Sequence, residues 1–160
     1  MKKIFLAVRW PVGGIRTFIN YIYGKWNFEP IELHILVPRV NEISILQEQL
    51  KNLPCVWHIT ESERPTFYAF MKQGISIIRK NKFSIIHAHG FTSAIAISPI
   101  LPFTPCGKMF TSHDVLGEKQ FQGFKGRVKK WLMSLALNRY DVIHSVSNEA
   151  ETNLQEHLPG

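Results

Sequence analysis

Two histidines close the short run Ser84-Ile-Ile-His-Ala-His89, immediately before Gly90. In an extended strand, residues two apart share a face, so His87 and His89 would stand side by side at the strand's C-terminal end. Imidazole is the side chain whose charge changes nearest neutral pH, and it serves as acid, base, hydrogen-bond partner or metal ligand. A second apolar run, residues 108–112, ends in His113-Asp114. Asp114 could orient an imidazole or accept a hydrogen bond from a substrate hydroxyl, or either residue could simply cap the loop. Gly13-Gly14 follows the first apolar run, where a backbone without side chains can approach a phosphate at a helix N-terminus or merely turn tightly.

These positions differ in what they can do. His89, nearer the end of its strand, is the candidate for function, while His87 reads as a hydrogen-bonded core residue. No carboxylate or thiolate stands at ligand spacing from the pair, so zinc is not expected and no metal site is assigned. Three spaced glycines are absent after the first run, and the second run ends in Pro38-Arg39 with no acidic residue for a ribose, which argues against a nicotinamide dinucleotide. Ser145 and Ser147 end the last apolar run, and Ser147 reads as the cap of a final helix bearing Glu149 and Glu151 in its first turn.

Strands and helices must alternate to bring these residues together. Residues 3–8 form a continuous apolar run, as a strand buried on both faces would, and residues 31–37, 55–59, 84–89, 108–112 and 141–147 read as further strands. Helical spacing predicts helices over residues 15–26, 42–53, 65–81 and 91–101, with a loop over 113–124. The clearest helix is Lys125 to Tyr140, with Val128, Trp131, Leu132, Leu135 and Ala136 as its core stripe and Met133 and Leu137 on the opposite side, among Lys129 and Lys130. The fold class is therefore α/β, a Rossmann-like, doubly wound, mainly parallel sheet of about six strands with helices on both faces. Ligands of such sheets bind beyond the C-terminal ends of the strands.

Composition narrows the rest. At 160 residues and 45% hydrophobic, the chain can bury one core. Its net charge of +7 is uneven, with six basic and no acidic residues from Lys119 to Arg139. That patch reads as a solvated helix face or as a contact for phosphates, anionic lipid or nucleic acid. Cys55 and Cys106 form no paired motif, which suits a reducing compartment. Arg9 and Pro11 cut short the apolar run that follows Met-Lys-Lys, so the N-terminus reads as a strand rather than a signal peptide.

Four pieces together carry a resemblance: Pro11-Val-Gly-Gly-Ile15, Ser84-Ile-Ile-His-Ala-His89, Thr111-Ser-His-Asp114 and Tyr140-Asp-Val-Ile-His-Ser-Val-Ser-Asn148. In order and spacing the chain resembles the N-terminal half of the family 4 (group 1) glycosyltransferases, which have the two-domain GT-B architecture. The resemblance implies one Rossmann-like, acceptor-side domain over residues 1–160, with the C-terminal donor-binding domain outside this chain. It implies sugar transfer, with retention of configuration, from a nucleotide-diphosphate sugar to a saccharide or lipid-linked acceptor. It also implies no cofactor or metal, and a cytoplasmic enzyme of surface polysaccharide synthesis.

By position, His89 matches the family's active-site histidine, Gly13 and Gly14 its glycine loop, and His113 and Asp114 the border of its acceptor pocket. Arg9, Trp10 and Arg16 lie outside the family pattern, and Arg16 is assigned with them to substrate selection. Relatives that work on lipid-linked acceptors suggest membrane contact through Lys125 to Tyr140, with Met133 and Leu137 meeting either the lipid or the other domain. Nucleic acid is not expected as a partner. Two other readings remain: a non-catalytic nucleotide- or phosphate-binding Rossmann module, and a basic membrane or nucleic-acid adaptor.

Overall fold

Lys2–Val8 forms the first strand, β1, and every side chain from Ile4 to Val8 is buried, as a strand covered on both faces requires. The computed structural model describes residues 1–158 of the chain. The expected sequence end, Pro159-Gly160, lies outside the described residues. After β1 come α1 (Gly13–Ile22), β2 (Ile31–Val37), α2 (Ile43–Gln49), β3 (Cys55–Ile59), α3 (Phe67–Lys80), β4 (Ile85–His89), α4 (Phe91–Ile97), β5 (Gly107–Ser112), α5 (Gly123–Leu137), β6 (Val142–Ser145) and α6 (Asn148–His157).

The six strands form one parallel sheet in the order β3-β2-β1-β4-β5-β6. The chain winds outward from β1 to β3, crosses back through α3, and winds outward again from β4 to β6. Side-chain alternation then builds two cores. Ile4, Leu6 and Val8 of β1 pack with Ile19, Leu33, Ile35 and Leu46 beside α1 and α2. Phe5 and Ala7 face the other way, with Phe70, Ile86, Phe110 and Met133 beneath α3, α4 and α5. Gly74 lets α3 approach closely, since a Cβ there would lie 3.1 Å from Ile97 Cγ2 and 3.3 Å from Leu36 Cδ2. Thr66 and Ser147 cap α3 and α6 through the amides of Ala69 and Ala150.

Several boundaries differ from the sequence expectation. The second helix stops at Gln49 because Lys51 and Leu53 donate three residues back, to Glu48 and Leu50, tightening the chain into β3. The expected helix over 91–101 divides into α4 and a 3-10 segment, Ser98–Phe103, where Pro99 lacks an amide hydrogen and its ring crowds the preceding turn. The expected loop over 113–124 contains one 3-10 turn, Glu118–Phe121.

The largest correction concerns α5. Its buried residues are Gly126, Met133, Ala136 and Leu137, whereas Val128, Trp131, Leu132 and Leu135 are exposed. Of the expected core stripe only Ala136 is in the core, the other four residues facing solvent, and the expected outer residues Met133 and Leu137 are buried. Small residues decide the orientation: a Cβ on Gly126 would collide with the Phe121 backbone, so only this side can come so close to the preceding turn.

Candidate functional site

The chain leaves β1 toward α1 on one face of the sheet and leaves β4 toward α4 on the other. Adjacent parallel strands whose following helices diverge in this way open a crevice at their C-terminal ends. Gly90 makes the turn out of β4 with a φ of 76°, a left-handed conformation that favours glycine. Its amide donates to the Thr111 carbonyl at 3.0 Å, tying the end of β4 to β5.

Strand register gathers histidines on the face toward α1. Val8, His89, Thr111 and His144 lie in one row across β1, β4, β5 and β6, with His87 one step behind His89. His87 is buried and satisfied at both ring nitrogens: Nδ1 is 2.8 Å from the Tyr23 hydroxyl and Nε2 is 2.8 Å from Thr111 Oγ1. Its ring lies 4.0 Å from that of His89 between centroids. His89 Nδ1 is 3.2 Å from His113 Nε2, so one of the two imidazoles supplies the shared proton. His89 Nε2 is buried without a hydrogen-bond partner among the described residues. The Phe18 ring from α1 packs against His89, His113 and His144 at 5.9, 5.3 and 5.3 Å.

This arrangement holds His87, His89 and His113 neutral. Loss of water pushes His87 down to about 3, helped by the neighbouring His113 and His144. His89 is pushed well below the ordinary histidine value by its burial and then by His87, His113 and His144. Half-buried His113 falls to about 4, through desolvation and then His144. A neutral His89 of such low basicity is suited to hydrogen-bonding a hydroxyl rather than to removing its proton.

Above the histidines is a cleft of about 680 Å³. Its walls come from the loop after β1 (Trp10, Val12), α1 (Gly14, Ile15, Thr17, Phe18, Tyr21), β4 with its turn and the start of α4 (His89, Gly90, Thr92), the loop after β5 (His113, Asp114) and Val146. Gly14, His89, His113 and Asp114 thus meet in one place. Gly13 is exposed at the start of α1 with a φ of 54° but does not line the cleft, and half-buried Arg16 does not line it either. Phe18 and Tyr21 escape a reading of motifs, because helix packing brings them here, and His144 meets the Phe18 ring through the β5–β6 register.

The start of α1 is electrostatically open. Val12 at its cap makes no side-chain hydrogen bond to the first turn, and that turn contains no acidic residue. Arg16 instead places a cation at the positive end of the helix, an arrangement unfavourable for the helix alone and favourable for a bound anion. Arg9 is anchored nearby, its Nη2 donating to the Pro65 carbonyl at 3.0 Å, while its buried Nε has no partner among the described residues. Another cavity, of about 650 Å³, lies at the N-terminal ends of β4 and β5 beside Phe83, Ile86 and Cys106, away from the histidines. Among the described residues no group of three or more His, Cys, Asp or Glu side chains is placed to hold a metal ion, and no helix is long and apolar enough to cross a membrane.

The sequence matches the profile described as Glycosyltransferase Family 4 over residues 12–159. No curated protein matches it. Among solved structures, the fold is similar to a UDP-N-acetylglucosamine 2-epimerase at 12% identity and a TM-score of 0.60, over 98% of this chain and 44% of that one. It is also similar to the UDP-GlcNAc 2-epimerase from Methanocaldococcus jannaschii, at 18% identity and a TM-score of 0.55, over 98% of this chain and 42% of that one. The chain therefore spans less than half the length of either epimerase, and at these identities the likeness is one of fold.

Proposed function

The chain belongs to glycosyltransferase family 4, and from that premise we propose that it is the acceptor-side half of a retaining enzyme that transfers a sugar from a nucleotide-diphosphate donor to a saccharide or glycolipid acceptor. The observation that carries this reading is the convergence of Gly14, His89, His113 and Asp114 on one cleft at the switch point of the sheet. A second Rossmann-like half would close the cleft and hold most of the donor. Both structural neighbours are named for a nucleotide sugar, which supports the same ligand class here.

In the proposed reaction the bond from the anomeric carbon to the diphosphate breaks as the acceptor hydroxyl bonds to that carbon on the same face. The hydroxyl proton leaves with the diphosphate oxygen. The open amides at the start of α1, with Gly14, hold the diphosphate, and the Arg16 cation in the same first turn adds attraction from outside the cleft lining. Neutral His89 binds a sugar hydroxyl through Nε2, and Asp114 accepts a hydrogen bond from the acceptor. Trp10 and Tyr21 pack against the apolar side of a sugar ring. The enzyme works in the cytoplasm, in surface polysaccharide synthesis, and needs no metal.

The test supplies the full-length protein with nucleotide sugars and a saccharide acceptor, with and without EDTA, and reads the product's anomeric configuration by NMR. Retained configuration and unchanged turnover in EDTA are expected; inversion, or an absence of transfer from every donor tried, would overturn the reading.

The glycine loop gives a second expectation. Gly14 has ordinary negative φ, and a Cβ there would meet nothing within 4 Å. Gly14→Ala should therefore leave the melting temperature unchanged while raising the KM for the nucleotide sugar about tenfold, since the new methyl stands where the diphosphate must approach. Unaltered kinetics would reduce Gly14 to a turn residue.

A further inference from the structure

The cavity of about 650 Å³ at the end of the sheet opposite the histidines opens between the loops that lead into β4 and β5. Its floor is apolar and belongs to the core: Ile78 of α3, Ile86 of β4 and Ile100 of the 3-10 segment are all buried there. Half-buried Phe83 and Cys106 form its walls. Phe83 is held from behind by the rings of Phe5 and His34, at 5.4 and 5.1 Å between centroids. The two loops are tied together, the Gly107 amide donating to the Ser84 carbonyl at 3.1 Å. The rim has another character. Arg79, Lys82 and Phe103 are exposed there, no acidic side chain lines the cavity, and neither cation has an ion-pair partner among the described residues.

We propose that this cavity binds a free aliphatic carboxylate of medium chain length, its chain on the isoleucine floor and its head between Arg79 and Lys82. A preformed, mostly apolar cavity of this size with a few charged groups at its edge has the make-up of a small-molecule site. The polar side chains of the lining select the body of the ligand. Asn81 Nδ2 donates to the Ile77 carbonyl at 2.9 Å and Thr104 Oγ1 to the Leu101 carbonyl at 2.7 Å, so both already serve the backbone beside them. A sugar or nucleotide would bury hydroxyls against Ile78, Ile86 and Ile100 without partners, at a net cost. A hydrocarbon chain gains by leaving water for the same surface. Charge complementarity selects the head: one carboxylate can pair with both cations, whereas the same rim on a second copy of the chain would set like charges together. The inference stands on this cavity and does not depend on the transfer reaction.

Isothermal titration of the purified full-length protein with decanoate, below its micellar concentration, provides the test, with octanoate and decanol alongside. Decanoate should bind more tightly than octanoate by roughly fourfold per added methylene. It should also bind more tightly than uncharged decanol, by about fivefold. Arg79→Gln with Lys82→Gln should weaken decanoate about tenfold and leave decanol unchanged. Both positions are exposed, and thermal melts confirm that the variant remains folded. Cys106 localises the ligand: decanoate should slow its alkylation by N-ethylmaleimide, read by peptide mass spectrometry. Cys55, whose thiol burial pushes up to about 11, does not line the cavity and should show no protection. Four results would overturn the proposal: no decanoate binding, equal affinity for decanoate and decanol, binding indifferent to the double variant, or Cys106 alkylated at its free rate in saturating decanoate. Sugar transfer enters none of these readouts, so their failure would leave the proposed reaction standing.

Discussion

His89→Ala in the full-length enzyme is expected to lower nucleotide-sugar turnover by about 10²–10³, the usual consequence of removing one preorganised hydrogen-bonding group from a reacting centre. The expectation rests on a single nitrogen. His89 Nδ1 is engaged with His113, while Nε2 is buried without a partner among the described residues. A buried polar atom without a partner costs about 1–3 kcal/mol, and a ligand hydroxyl would recover that cost on binding. Because burial keeps the ring neutral, the pH profile of turnover should show no ionisation of His89 near neutrality. His89→Gln, which retains a hydrogen-bonding group, should keep more activity than alanine. Alanine also leaves a cavity beside His87 and His113, so the comparison requires variants with native melting behaviour. Full turnover by a folded His89→Ala protein would remove this residue from the chemistry.

Acid should destabilise the fold strongly, well before its carboxylates protonate. His87 and His89 are buried and neutral, with folded values of about 3 and well below normal, against about 6.5 in an unfolded chain. Between those values the unfolded chain binds protons that the folded one does not. Stability is then fully present above about pH 6.5 and is lost as the pH falls below it, at about 1.4 kcal/mol per pH unit for each proton. At pH 4.5 His87 alone amounts to about 2.5 kcal/mol, and His89, also strongly lowered by its burial, adds in the same direction. His113 and His58, also lowered but partly solvated, add in the same direction. Urea midpoints from pH 7.5 to 4.5 measure the effect. A flat midpoint across that range would show that the histidine face protonates without unfolding.

The strands were legible as short stretches rich in aliphatic and aromatic residues between breakers: residues 31–37 and 55–59 are β2 and β3 to the residue. Sheet order was only partly so. His113 beside His89 follows from β5 lying next to β4, as neighbours in sequence usually do, but β4 pairs with β1 and not with β3, because α3 carries the chain across the sheet. Helical spacing in α5 identified which residues share a side and could not say which side is buried. Bulk pointed to Trp131 and Leu135, whereas the close approach at Gly126 turns Met133 and Leu137 inward instead, with Ala136 buried as expected. In the site, His89, His113 and Asp114 were visible as strand ends. Phe18 and His144 were not, since one arrives through the packing of α1 and the other through the register of β5 with β6.

The central place of β1 also orders events during synthesis. Its partner β2 ends at Val37, while its other partner does not begin until Ile85. A nascent chain that has emerged through β3 already holds Ile4, Leu6, Val8, Ile19, Leu33 and Leu46, the bulk of one core, and can assemble β1, β2, β3, α1 and α2 on the ribosome. At ordinary elongation rates of about 5–20 residues per second, the free edge of β1 and its Phe5 face then wait on the order of seconds for β4. During that interval the edge of β1 that later pairs with β4 is an unpaired template for wrong strands.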